Sequence, residues 1–438
     1  MLERILARMK NARHIDAWRV AEQRIESREL FLVGRQTELR RAKTVTRTYL
    51  TMYRDFQRQG KPRRGSATVR LHPTHTRGEL ESVLRSAAEA ALQAENAPYP
   101  LVEPGGPAPA VPPEALACPE GVDLEAGLSE LERALRDCAA QDPGARLNSA
   151  ELFVERVGTS IANSAGLEVG WTSFRGSGEL IVEAEGPGGS VELFRELAFT
   201  RPRPEPLAQE MRRLQALCRD RAAAVPTHAL GSVPLLLTGE AVRELGQYFL
   251  FHSAAESAYR NLARFRPGES VQGEAVRGDV LNLSLDPFLP YSPLSSPWDE
   301  DGWPLEPVRL IEDGLLARYW GPVQYCHYLG IPPTGSVPNL RLRPGGRPLE
   351  ALRDGGCLEV AVFSDFQCQP LTGDFAGELR LAYWHAPDGS RRPVTGGSVS
   401  GCLAELAGGL LLSAETQALS GFEGPAGVLL PQVSVTGA

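Results

Sequence analysis

From Asp279 to its end the chain is cut by glycine and proline pairs, Pro344-Gly-Gly, Asp354-Gly-Gly, Asp388-Gly and Gly396-Gly397 among them. Such punctuation leaves room only for short segments. Glycine opens positive φ, and proline removes the amide that a helix or a central strand needs. Short strands joined by tight turns are what remains, so a β-rich domain of barrel or sandwich type is expected over 226–438. One long helix is expected near its start, over about 238–265, capped by Thr238 and preceded by a buried strand at Val233-Pro-Leu-Leu-Leu.

The first half reads differently. Strand-like runs at Glu29–Val33 and Thr48–Tyr53, broken by Gly34 and by Gly60-Lys-Pro, predict an antiparallel meander over 26–71 after a short helical start. Thr76 and Glu79 form a capping-box pattern for a helix reaching about Asn96. Seven prolines in 97–113 exclude helix and central strand, so 97–123 is expected to be an exposed extended loop. Leu124, Leu128, Leu131 and Leu135 make one apolar stripe of a helix over 124–140. Two or three strands are expected across 148–185, turning at Asn163-Ser164-Ala165-Gly166, and then a helix over 205–223. The expected architecture is α+β, with a mixed α/β domain over 1–225 and the β-rich domain after it. A chain of 438 residues is long enough for two cores.

The formal charge of −8, from 46 basic and 54 acidic residues, argues against nucleic acid as the main partner. The local basic strip of Arg54, Arg58, Lys61, Arg63 and Arg64 has no aromatic interleaving and is expected to be a solvated turn. No stretch approaches the ~18 apolar residues of a membrane span, and the charged N-terminus lacks the apolar core of a secretion signal. The seven cysteines are odd in number and contain no Cys-x-x-Cys pair, as expected for a reduced, cytoplasmic protein.

Three short motifs follow one another: Leu294-Ser-Ser-Pro-Trp-Asp-Glu-Asp-Gly-Trp303, Leu310-Ile-Glu-Asp-Gly-Leu-Leu316 and Leu329-Gly-Ile-Pro-Pro-Thr-Gly-Ser336. Leu371-Thr-Gly-Asp-Phe375 and the Gly421–Gly427 run continue the series. In this order they resemble the TldD/PmbA family of peptidase subunits, and most of all its PmbA (TldE) side. The resemblance spans most of 229–438 and is looser before that.

The family's zinc-binding members carry a His-Glu-x-x-x-His helix whose histidines hold the metal and whose glutamate is the general base, with a later cysteine completing the site. In register with it, this chain has His252 at the first histidine, Ser253 at the base and Ser257 at the second histidine. A serine hydroxyl is a poor zinc ligand and no general base at neutral pH. The resemblance therefore implies no catalytic residue and no metal on this chain, with zinc on a TldD-like partner. His252 shares a helical face with Leu245, Tyr248 and Phe249 and is expected to be a structural histidine, with Glu256 one turn on as its partner.

Trp298, Asp299 and Trp303, with Thr334 and Gly335, are candidates for a peptide or subunit contact. The alternative is that the tryptophans only pin a loop to its own domain. Relatives have a Thr-Gly-Asn-Ala-x-Arg-like stretch where this chain reads Thr334-Gly-Ser-Val-Pro-Asn339, so a peptide groove would differ here.

Other chemistry finds little support. Gly396–Gly401 fits no Gly-x-Ser-x-Gly elbow and reads as a turn before a helix-like run at Leu403–Leu412. Cys326 and His327 would point to opposite faces of a strand, and Cys368 and Cys402 are expected to be inert thiols even if they meet. No phosphate-binding or dinucleotide-binding glycine loop occurs.

The resemblance implies a cytoplasmic, non-zinc subunit of a TldD/TldE-type metallopeptidase that degrades unfolded peptides or trims leader peptides. It would form a heterodimer or higher assembly, close the cleft over the partner's zinc and bind an extended peptide by strand pairing. The alternatives are a homodimeric binding or scaffold protein of the same fold, and an independent hydrolase using His252 with Cys or Asp ligands.

Overall fold

The structure is a computed structural model that describes residues 15–105, 108–112, 115–116, 123–289 and 291–438. The expected helical start falls on 1–14 and lies outside the described residues. The first half forms one antiparallel six-stranded sheet of β1 (Ala17–Val33), β2 (Gln36–Arg58), β3 (Lys61–Leu71), β4 (Arg146–Asn163), β5 (Glu168–Gly186) and β6 (Gly189–Phe199). Their order is β3-β2-β1-β4-β5-β6, so the meander and the β4–β5 hairpin share the β1–β4 ladder. The hairpin turns where expected, because the Asn163 side chain accepts from the amides of Ala165 and Leu167. Strand β6 was not expected from the sequence. It is an edge strand, paired only with β5 among the described residues.

Three helices complete this half: α1 (Arg77–Ala91), α2 (Leu124–Ala139) and α3 (Pro204–Ala222). The capping box at the start of α1 forms as expected, Thr76 and Glu79 each accepting from the other's backbone amide. The helix stops short of Asn96, whose backbone instead bridges to Arg64. The leucine stripe of α2 is buried with Met211 and Leu214 of α3 against Leu152, Val154, Leu180 and Leu193 of the sheet. Burying each such leucine is worth about 1.5–3 kcal/mol. Burial along β4 then changes face. Ala150, Leu152 and Val154 point towards the helices, whereas Val157, Thr159 and Ile161 are buried on the side that meets the second half of the chain.

The basic strip sits on the β2–β3 hairpin, where Arg64 pairs with Asp55 and Arg58 with Glu95. The proline-rich segment has no helix or strand among its described residues, as expected, but it is not simply exposed. Val102 is buried with Leu167 and Val323, its carbonyl accepts from Asn163, and the Ala97 carbonyl accepts from Tyr328. Loop backbone is satisfied there by side chains of both halves.

The second half begins with β7 (Val225–Pro226) and β8 (Gly231–Thr238), and continues through α4 (Glu240–Ser253), α5 (Ala255–Tyr259), β9 (Leu283–Asp286), β10 (Val308–Glu312), β11 (Leu315–Leu316), α6 (Val323–Leu329) and β12 (Asn339–Leu342). After these come β13 (Cys357–Cys368), β14 (Asp374–His385), β15 (Arg391–Thr395), β16 (Ser398–Cys402), α7 (Leu403–Leu406), β17 (Leu411–Leu412), β18 (Thr416–Leu419), β19 (Phe422–Pro425) and β20 (Gly427–Thr436). Strands β13-β8-β20-β16-β14 close on themselves through the β13–β14 ladder, which gives the expected barrel; β15 and β7 extend its wall. A second sheet runs β11-β10-β9-β12-β19-β18. Helix α4 lies between barrel and sheet, with Val242, Leu245, Tyr248 and Phe249 in a core shared by both. No helix among the described residues is long and apolar enough to cross a membrane.

Several local expectations are corrected. Thr238 does not cap α4: its hydroxyl donates to the Val360 carbonyl on β13, and Gly239, at φ +64, is the residue that opens the helix. The helix does not run to Phe265 but breaks at Ala254, which is extended at ψ 136. The cause is the backbone of Trp320, whose amide donates to the Ser253 carbonyl and whose carbonyl accepts from Ala255. Cys326 and His327 stand on α6 rather than on a strand. Leu403–Leu412 is a single helical turn, a 3-10 turn at Ala407–Gly409 and a short strand.

Candidate functional site

The degenerate helix positions sit at the C-terminal end of α4. His252 is 1% exposed. Its Nδ1 accepts from the Arg264 amide at 3.1 Å, which leaves the proton on Nε2 to be donated to the Leu371 carbonyl at 3.1 Å. Tyr248 and Phe265 present their rings edge-on at 4.6 and 5.6 Å. Burial holds the imidazole pKa below its usual value, so the ring is neutral at neutral pH. The Ser253 hydroxyl donates to the Phe249 carbonyl at 2.7 Å, one turn back along the helix. Ser257 is buried in α5, and its carbonyl accepts from Leu262 and Ala263 to close the following turn.

Glu256 does not reach His252, contrary to the expected pairing across one helical turn. The break at Ala254 turns it outward, where it accepts from Arg260 and Tyr325. These residues do not fit a zinc ion. A ligating imidazole needs a free lone pair, and His252 has committed one nitrogen as acceptor and the other as donor. Among the described residues, no three His, Cys, Asp or Glu side chains gather closely enough to hold a metal.

The second candidate set comes together as a clasp between the two halves. Trp298 stacks on Trp171 of β5 with ring centroids 5.6 Å apart. Asp301 pairs with Arg19 of β1. Asp299 Oδ1 accepts from the amides of Asp301 and Trp303 at 2.9 and 2.8 Å, and Oδ2 from Ser336 at 3.2 Å. Burial raises the Asp299 carboxyl to about 6, against the pull of the Trp303 and Ser336 amides. Gly335, at φ +74, lies so close that a Cβ there would meet Asp299, Trp303 and Leu305. Thr334 exchanges two hydrogen bonds with the backbone of Gly321, next to the Trp320 that breaks α4. Trp298, Asp299, Trp303, Thr334 and Gly335 therefore form one cluster, joined to Ser253 through Trp320. The tryptophan loop is pinned to both halves of the chain, Trp298 packing on Trp171 and Trp303 on the core of the second half.

Beside the clasp a cleft of about 690 Å³ opens between β4–β6 and the second half, lined by Glu155, Arg175, Glu179 and Glu196 on one side and by Arg243 and Ser420 on the other. A second space of about 500 Å³ continues past Glu210 and Arg243 towards Phe194 and Ala361–Phe366. Both spaces follow β6, on which Phe194 is 49% exposed. Because β6 was not foreseen, neither was this cleft. The signal was present in Gly186-Pro187-Gly188-Gly189, a turn between two alternating runs.

Four of the described thiols are held protonated. Burial pushes Cys218 and Cys326 up to about 11 and Cys357 and Cys368 up to about 12, so all four stay protonated at neutral pH. Cys368 and Cys402 stand on opposite sides of β14, across from Phe375 and Asp374. Two strand spacings, about 9.6 Å, exceed the Cα separation a disulfide spans.

Comparison with known proteins fits these features to a family. Residues 230–437 match the model of the PmbA/TldA metallopeptidase C-terminal domain. The fold is that of TldE from Thermococcus kodakarensis, with a TM-score of 0.77 at 17% identity over 99% of both chains. It is also that of a proposed modulator of DNA gyrase from Thermotoga maritima, with a TM-score of 0.76 at 17% identity over 99% of both chains. A protein of the same description from Bacteroides thetaiotaomicron gives 0.76 at 16% identity, covering 98% of this chain and 96% of its own. Comparison of the sequence with curated proteins finds no match.

Proposed function

Because the chain belongs, through its C-terminal domain, to the TldD/PmbA metallopeptidase family, we propose that it is the non-zinc, TldE-like subunit of a cytoplasmic two-subunit peptidase. The observation that carries this reading is His252. At the position that would hold zinc, both ring nitrogens are committed to backbone partners, and Ser253 in place of the base donates its proton to its own helix. Chemistry then falls to a partner that bears His-Glu-x-x-x-His.

In that assembly this chain closes the cleft and holds an extended peptide. The outer edge of β6, which has no strand partner among the described residues and whose Glu192 carbonyl accepts from Arg380, supplies main-chain partners without sequence preference, and the two spaces along it leave room for side chains. The substrates are unfolded peptides or the leader segments of peptide precursors.

The test is to combine the purified chain with a zinc-bearing relative and follow cleavage of an unfolded peptide. Cleavage by the pair faster than by the zinc subunit alone is expected. Equal rates, with no complex formed, would sink the assignment and favour a scaffold role.

A further inference from the structure

Arg175 of β5 faces the 690 Å³ cleft, and its Nε is wholly buried without a hydrogen-bond partner. Among the described residues no ion pair or hydrogen bond reaches its guanidinium. Glu155, directly opposite across the β4–β5 ladder, acts on it only as a charge at a distance. The other arginines lining this space are spoken for: Arg195 pairs with Glu210, and Arg243 with Glu240 and Glu244.

Two more orphan atoms lie further along the same face, outside the cleft lining. Ser173 is two residues before Arg175 and so on the same face of the sheet. Its hydroxyl is buried without a partner at 3% residue exposure. Thr159, two residues from the Val157 that faces Ser173, shares that face, and its hydroxyl is likewise buried and unpartnered at 6%. Buried polar atoms are almost always paired, and a desolvated cation without an acceptor is more costly still. Arg175 alone of the three lines the open cleft, and its guanidinium is a donor prepared for an absent acceptor.

We propose that Arg175 is the anchor of a carboxylate-binding subsite in the cleft. A planar guanidinium fork matches the two oxygens of a carboxylate. Glu155, Glu179 and Glu196 around it weigh against anions, and against a doubly charged phosphate more than against a singly charged carboxylate. The subsite rests on the reading of this cleft as a peptide groove, and its occupant is the C-terminal carboxylate of the peptide or an Asp or Glu side chain along it. Burial already pulls the guanidinium pKa down, and a bound carboxylate restores it.

The experiment uses the full chain and a labelled, uncharged decapeptide in three forms: free C-terminal acid, C-terminal amide, and amide with one internal Glu. Affinities are read by fluorescence anisotropy for the natural chain, Arg175→Gln and Arg175→Lys. A C-terminal site predicts that the free acid alone binds about tenfold or more tighter than the amide; an acidic side-chain site predicts the same for the internal-Glu form. Either advantage vanishes in Arg175→Gln. Equal binding of all three forms, unchanged by Arg175→Gln, overturns the carboxylate site and leaves the peptide groove standing.

A second measurement needs neither peptide nor variant, and follows the Arg175 Nε–H resonance of the natural chain on addition of sodium acetate against sodium chloride. A shift with acetate alone, when no peptide binds, keeps the subsite and removes the groove. No shift and no binding removes both.

Discussion

Replacing His252 by alanine tests whether this histidine is structural, and the size of the effect follows from its contacts. The change leaves the Leu371 carbonyl and the Arg264 amide without partners. An unmet buried group costs about 1–3 kcal/mol. The edge-on contacts with Tyr248, Phe251 and Phe265 are lost as well, at about 0.5–1.5 kcal/mol each. Allowing for partial relaxation and for water reaching Leu371, the sum is about 4 kcal/mol, a large share of a stability of about 5–15 kcal/mol.

For a domain of this size that corresponds to a fall in Tm of about 8–16 °C. The assay is urea and thermal unfolding of the full chain, each with added zinc and with chelator. The natural chain should respond to neither, and His252→Gln, which keeps a polar end, should recover part of the loss. A loss below about 1 kcal/mol, or strong stabilisation of the natural chain by zinc that His252→Ala abolishes, would refute the reasoning.

The sign of the pH dependence gives a further check. Burial lowers the folded-state pKa of His252, so the unfolded chain binds the proton first as pH falls below about 6.5. Stability is therefore present above that pH and lost on acidification, and His252→Ala should lack this slope.

Asp299 predicts the opposite sign. Its carboxyl is raised to about 6 in the fold, so the folded state binds the proton first and stability rises as pH falls from 6 towards 4, by at most on the order of 3 kcal/mol. Relative to pH 7, the urea midpoint at pH 4.5 should be lower for Asp299→Asn than for the natural chain, and an unchanged difference would remove Asp299 as the cause. Trp298→Ala deletes the stack on Trp171 and should cost about 2 kcal/mol, below the ~3–5 of a fully buried tryptophan. It should also open the 296–305 loop to limited proteolysis, and protection equal to the natural chain would argue against the clasp. With iodoacetamide at pH 7.5 and peptide mass spectrometry, the partly exposed Cys402 should label well before the buried Cys218, Cys326, Cys357 and Cys368; even labelling would mean that the burial is not as described.

What could be read in the sequence follows the range of the interactions. The α2 stripe, the capping box at Thr76 and the Asn163 turn are local patterns, and each formed where its residues stand. The break after Ser253 could not be read that way, because Glu240–Tyr259 is a good helical run and its interruption is imposed by Trp320, about 65 residues away. The Thr238 hydroxyl was drawn off in the same manner by Val360. His252 was correctly placed on the buried face, but its two partners lie in loops at Arg264 and Leu371 that no helical period reveals. The subsite at Arg175 was invisible for a related reason: an arginine on a polar strand reads as solvated until the second half of the chain covers that face.

The two candidate sites are also mechanically connected. The bridge that cuts α4 fixes Trp320, the next residue binds Thr334, Gly335 seats against Asp299, and Trp298 of that same turn stacks on Trp171, four residues before Arg175 on β5. Each link is a hydrogen bond or a close packed contact, so the spacing of the two halves is set near one end of the cleft. Its other end, along Phe194 and Ala361–Phe366, is held as well: Val362 packs against the first-half core, Arg380 donates to the Glu192 carbonyl on β6, and Tyr383 donates to Asp220. A cleft held at both ends keeps Arg175 in register. Spatial continuity alone does not establish coupling; that requires affinity and clasp to change together. In Trp298→Ala, the carboxylate advantage should shrink together with the stability, whereas a substitution at Phe194, remote from Trp298 and Arg175, should alter binding of all three peptide forms alike.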